Sequence, residues 1–166
     1  MVRVFRSPGD IEGSIDDVMG PTSWHRIGQA TIDAFAAVTG DHQWIHVDRP
    51  RATASGFGRT IAHGYLTLSL IPAFSVELFR FELGEARLNY GLDRVRFPAP
   101  VPADSWVRAS ATLTSSERTN AGWQVRVRWT VESDQSARPA CVADTVTLVT
   151  GLGPTSPKWR DLRERV

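Results

Sequence analysis

Residues 64–80 read Gly-Tyr-Leu-Thr-Leu-Ser-Leu-Ile-Pro-Ala-Phe-Ser-Val-Glu-Leu-Phe-Arg. Wound at 3.6 residues per turn, Tyr65, Leu66, Leu68, Leu70, Ile71, Ala73, Phe74, Val76, Leu78 and Phe79 spread around the whole circumference. A helix apolar on every side is predicted to be buried. At 1.5 Å per residue it is about 26 Å long, enough to cross a small domain. Pro72 lacks the N–H that would bond the Leu68 carbonyl, which predicts a bend there. After Gly84 the apolar period changes to two. Trp123, Val125, Val127, Trp129 and Val131 alternate with Gln124, Arg126, Arg128, Thr130 and Glu132, which gives one apolar and one polar sheet face. Strands are predicted over 87–90, 94–97, 105–114, 123–132 and 140–150, with turns over 98–102, 115–122 and 133–139. A buried helix followed by such strands is an α+β architecture in which an antiparallel sheet wraps the helix. A single layer leaves a strand edge, and pairing with a second copy is the expected remedy.

Outward from this core the chain is plainer. Residues 1–24 are polar, rich in Gly, Pro and Ser, and read as a surface arm that builds no core, with one short helical turn near Ile15 to Met19. Ile32, Phe35, Ala36 and Thr39 recur at helical spacing, with Thr31 as the expected cap and Gly40 as the left-handed stop. Residues 42–62, with Pro50, Gly56 and Gly58, read as a long functional loop, and residues 154–166 as a charged surface tail. The length of 166 residues suits one domain, 1–166. Basic and acidic side chains number 19 and 18, so no strong field points to nucleic acid or an anionic membrane. The lone Cys141 has no disulfide partner, which suits a reducing cytoplasm, and it reads as a small buried hydrophobe. The N-terminus has no apolar secretory core, and no run is long and apolar enough to span a membrane.

The densest cluster of titratable groups is Gly40-Asp41-His42-Gln43-Trp44-Ile45-His46-Val47-Asp48, followed by His63-Gly64. His42 and His46 have the i, i+4 spacing of a zinc site, with His63 as a third ligand. That reading needs a Glu base after the first His, and Gln43 accepts no proton. The competing reading makes Asp41 and His46 an acid/base pair that converges on one water across a turn. Gly64 then opens the buried helix with an unpaired N–H where negative charge can be stabilised, and its missing side chain admits a carbonyl oxygen. His63 serves equally as a helix cap; His25 and His42 have no evident partner, and Asp48 starts a turn before Pro50.

The run from Phe35 to Asp48, with Ile61-Ala62-His63-Gly64, resembles the hydratase signature of the MaoC-like family, the (R)-specific enoyl-CoA hydratases. The stretch from Asn89 to Val101 is similar to the bacterial branch that includes the NodN-like hydratases. The resemblance spans about Thr22 to Thr150. It implies a hot-dog fold, a homodimer and the syn hydration of a trans-2-enoyl thioester to the (R)-3-hydroxyacyl thioester, or the reverse. It also implies that Asp41 and His46 activate the water and that the Gly64 N–H, beside His63, polarises the thioester carbonyl. The commonest form of the motif has Asn and Pro where Gln43 and Trp44 stand here. Gln43 keeps an amide, while Trp44 exchanges a turn former for a ring that walls the acyl pocket or packs on the helix. Ala62, Tyr65, Asn89, Tyr90, Arg96, Phe97 and Pro98 are further candidates for the substrate channel. The substrate implied is a thioester of coenzyme A or of acyl carrier protein, with no metal and no redox cofactor. A hot-dog thioesterase and a non-catalytic acyl-thioester-binding subunit are the alternatives. Eighteen of the basic residues are Arg, Lys158 being the only lysine, and Arg87, Arg94 and Arg96 are nearest in sequence to the channel for meeting phosphates.

Overall fold

The computed structural model describes residues 2–151; the tail 154–166 and Lys158 lie outside them. The elements in chain order are β1 (Arg3–Phe5), α1 (Pro8–Glu12), β2 (Val18–Met19), β3 (His25–Ile27), α2 (Gln29–Thr39), α3 (Trp44–Val47), α4 (Arg49–Thr53), α5 (Gly64–Ser69), α6 (Ile71–Leu78), β4 (Phe79–Phe81), β5 (Ala86–Arg96), β6 (Ser105–Thr119), β7 (Gly122–Ser133) and β8 (Ser136–Thr150). The main sheet is antiparallel in the order β2-β6-β7-β8-β5, with β3 also paired to β6. Bulges in β5, β6 and β8 pairing shift the register and curve the sheet.

The concave face carries the residues that the alternation marked. Val125, Val127, Trp129 and Val131 from β7 and Val107, Ala109, Ala111 and Leu113 from β6 are buried against Phe74 and Leu78 of α6. The convex face holds ion pairs, Arg108–Glu132, Arg126–Asp93 and Arg128–Asp144, each at 2.8 Å. Cys141 is buried in β8, and burial pushes its thiol up to about 11.

Several expectations need correction. The single helix over 64–80 is two, α5 and α6, joined at Leu70, whose N–H turns back to the Thr67 carbonyl. Pro72 has no N–H for Leu68, so the chain tightens one residue before the strict break and restarts with Pro in the first turn of α6. The helix is also exposed on one side, at Tyr65, Pro72, Ala73 and Val76, and it ends at Leu78 because Phe79–Phe81 pairs in parallel with β1. The arm 1–24 does build core: Phe5 and Ile11 are fully buried and Met19 nearly so. The segment 42–62 contains α3 and α4, and the two strands expected over 87–97 are one bulged strand. Finally, α2 starts at Gln29 behind Gly28 and has no side-chain cap at Thr31. Its end is as expected, with Gly40 left-handed at φ 75°.

Candidate active site

Gly40 turns the chain out of α2, and Asp41 follows it directly. Three residues on, α3 begins, a single turn that carries His46 inward. Asp48 ends α3 and accepts the Arg51 N–H at 3.0 Å, so it caps α4 as the Pro50 turn suggested. Ile61 returns the chain to the site: its N–H bonds the Ile45 carbonyl at 2.9 Å, and the Ala62 N–H bonds the Val101 carbonyl at 2.7 Å. His63 is then delivered to the first turn of α5.

These turns bring Asp41, His46 and His63 together, with one side-chain donor or acceptor atom from each lying within 4.8 Å of the others. His42 is exposed and is not part of this group. Two hydrogen bonds of about 2.8 Å span more than that separation, so one water can touch more than one of the three. The His46 Nδ1–H donates to the Ile61 carbonyl at 2.7 Å. That bond fixes the tautomer and leaves Nε2 as a bare acceptor. The His63 Nε2–H donates to the Asp41 carbonyl at 2.9 Å and pins the backbone beside the carboxylate. The two imidazoles are stacked, with centroids 3.7 Å apart and planes at 24°. His63 Nδ1 is buried with no partner, an open hydrogen-bonding valence in the site.

His46 is held below the ordinary imidazole pKa, first by burial and also by the neighbouring His63, against the opposing pull of the Ile61 carbonyl and Asp41. It is therefore neutral at physiological pH, the form that can accept a proton. The unfolded chain takes up this proton at the ordinary value while the folded site resists it. The contribution to stability is thus lost as pH falls below about 6.5.

Sequence reasoning missed two supports. Gln29, buried at the start of α2, donates from Nε2 to the His46 carbonyl at 2.8 Å, and its Oε1 accepts from the Thr60 hydroxyl. His25 does have a partner: its Nε2 meets Glu77 on α6, whose other oxygen accepts from the Ser23 N–H and hydroxyl. Neither has a local signal, since the partners are 17 and 52 residues apart.

The remaining candidates divide into groups. Gly64 opens α5 against the Phe97 ring, where a Cβ would stand 2.8 Å from Cδ2. A side chain here would have to displace that ring. Tyr65 packs edge-on to Phe97 at 6.1 Å and is exposed, and Ala62 is buried behind the site. The Gln43 N–H reaches Asp41 Oδ1 at 3.3 Å, a contact of its backbone and not of its amide. Trp44 packs near Phe57 and beneath Arg51. Asn89 lines a groove of about 240 Å³ between Leu68, Ile71 and Pro72 on the helices and Thr145 on β8. Tyr90 is exposed on the β5 edge, Arg96 bonds the Val95 carbonyl, and Pro98 is partly buried.

Compared with known families, residues 10–135 match the MaoC like domain. The chain belongs to this family. It is 44% identical over 146 residues to 3-hydroxyacyl-thioester dehydratase Z of Mycobacterium tuberculosis, covering 87% of this chain and 97% of that one. It is 41% identical over 146 residues to Nodulation protein N of Rhizobium leguminosarum bv. viciae, covering 86% and 91%. Among solved structures it is similar to the (R)-hydratase from A. caviae, with a TM-score of 0.65 at 23% identity over 80% of this chain and 96% of that one. The fold is thus the expected α+β hot-dog. No helix among the described residues is long and apolar enough to cross a membrane.

Proposed function

We propose that this MaoC-like domain is an (R)-specific hydro-lyase that adds water across the double bond of a trans-2-enoyl thioester, or removes it from the 3-hydroxyacyl thioester. The observation that carries the reading is the tautomer-fixed His46, its Nδ1–H held by the Ile61 carbonyl, beside the Asp41 carboxylate. The named dehydratase at 44% identity supports the same class of substrate. Water held between Asp41 and His46 Nε2 is deprotonated as its oxygen bonds C3. The electron pair of the double bond moves toward the thioester carbonyl, and the Gly64 N–H steadies the developing oxyanion. Reprotonation at C2 from the same pair completes syn addition and restores the site.

The acyl chain runs into the groove beside Leu68, Ile71 and Asn89. A second copy pairs on the exposed edge strand β5 and covers the outer face of α5 and α6, where Tyr65 and Val76 stand open. The whole chain acts as one domain, and its single buried thiol suits the cytoplasm.

Incubation with crotonyl-CoA tests the reading, with loss of enoyl absorbance and release of free thiol followed together. Enoyl loss without thiol is expected. Thiol release would assign a thioesterase, and neither signal would assign a binding subunit. In the same assay, the acid limb of kcat/KM is expected below pH 6.5, because protonating His46 removes the acceptor and its pKa is lowered. A limb centred above 6.5 would contradict this role for His46.

A further inference from the structure

We infer that Trp44, Arg51 and Phe57 form the seat for the nucleotide end of a coenzyme A thioester, with the purine on the aromatic rings and phosphate on Arg51 and Arg49. The inference rests on the thioester reading above and names the carrier that reading leaves open. Trp44 stands on the same single-turn helix as His46, so the platform borders the acid/base group. The Arg51 guanidinium lies 4.4 Å from the centre of the Trp44 ring. Phe57 packs edge-on to Trp44 with centroids 6.4 Å apart at 61°, and it is 45% exposed, so part of its ring is free to stack.

The two arginines at this place make no direct ion pair. Among the described residues Arg51 and Arg49 have no carboxylate within ion-pair distance. The nearby Asp48 carboxylate is engaged by the Arg51 backbone N–H. A similar stack elsewhere, Arg108 over Trp24 at 4.6 Å, differs in this respect, because Arg108 is tied to Glu132 at 2.8 Å. A planar guanidinium with no carboxylate partner, set beside the exposed Phe57 ring, matches what a phosphorylated purine presents: a flat ring for stacking and phosphate oxygens for a bidentate fork. The arginines nearest the channel in sequence are worse placed. Arg87, Arg94 and Arg96 stand on β5, the edge assigned to the second copy, and Arg87 and Arg96 already bond the carbonyls of Phe81 and Val95. An acidic carrier protein would call for a broad basic face, whereas two arginines around an aromatic pair suit a nucleotide.

The test titrates the full chain with adenosine 3′,5′-bisphosphate by calorimetry and compares crotonyl-CoA with crotonyl-pantetheine as substrates. Saturable binding is expected, weakened about tenfold or more by Phe57→Ala and by Arg51→Ala, the loss expected for one stacking or phosphate contact. The ratio of kcat/KM for the CoA thioester over the pantetheine thioester is expected to fall by the same factor in each variant. Both side chains are exposed, so truncation leaves the fold intact. No binding of the bisphosphate, unchanged binding in both variants, or equal use of the two thioesters by the wild type would overturn the proposal. Selective loss of turnover with an acyl-carrier-protein thioester in Arg51→Ala would also overturn it, by making the surface a protein dock. The calorimetric arm needs no turnover, so its outcome is independent of the hydratase reading.

Discussion

Asp41→Asn is expected to reduce kcat for a trans-2-enoyl thioester by about 10³-fold, within the range for loss of a positioned acid/base group. The substitution keeps the size and shape of the side chain and removes the group that accepts a proton. Folding should be unaffected, because Asp41 is exposed and its side chain accepts only a long bond from the Gln43 N–H. The backbone contact from His63 is made to the Asp41 carbonyl and survives the change. The circular dichroism spectrum and melting temperature should therefore match the wild type while turnover is lost. Turnover near the wild-type rate would remove Asp41 from the mechanism.

Phe5→Ala is expected to destabilise the fold by about 3–5 kcal/mol, the usual cost of emptying a buried phenyl site. For a domain of this size that corresponds to a fall in Tm of roughly 6–20 °C. Phe5 is fully buried, with its ring 5.9 Å from Phe79 and 5.3 Å from Phe81, and β1 itself pairs with β4. Val2→Ala, at a residue 37% exposed just before the strand, is the control and should shift Tm by little. Equal melting of Phe5→Ala and the wild type would restore residues 1–24 to a loose surface arm.

These two positions also mark what a sequence of this kind discloses. Local rules located Asp41: an apolar helical period, a glycine stop and the residue after it. They located β7 as well, because a sheet packed on one side prints its alternation directly on the chain. Phe5 was illegible for a physical reason. A three-residue strand is too short for a period, and its partner Phe79–Phe81 lies more than seventy residues away at the end of what reads as a helix. The break at Leu70 was legible only as a bend, since Pro72 removes a bond but does not say which neighbour absorbs the loss. Bulges hid the continuity of β5 by shifting its register twice. Within the site, spacing put Asp41, His46, His63 and Gly64 in one place. The tautomer of His46 depended on a carbonyl, that of Ile61, which no side-chain pattern reveals. The same holds for Gln29, a polar residue at a helix start whose value comes from the His46 carbonyl it meets.

In the proposed reaction water bonds carbon C3 and not the thioester carbonyl. Turnover of crotonyl-CoA in ¹⁸O-labelled water, with mass spectrometry of the product, tests it most directly. The expected product is an intact 3-hydroxybutyryl thioester carrying the label on its hydroxyl oxygen, formed by the wild type and not by Asp41→Asn. Label found instead in a free carboxylate, with coenzyme A released, would assign hydrolysis of the thioester in place of hydration.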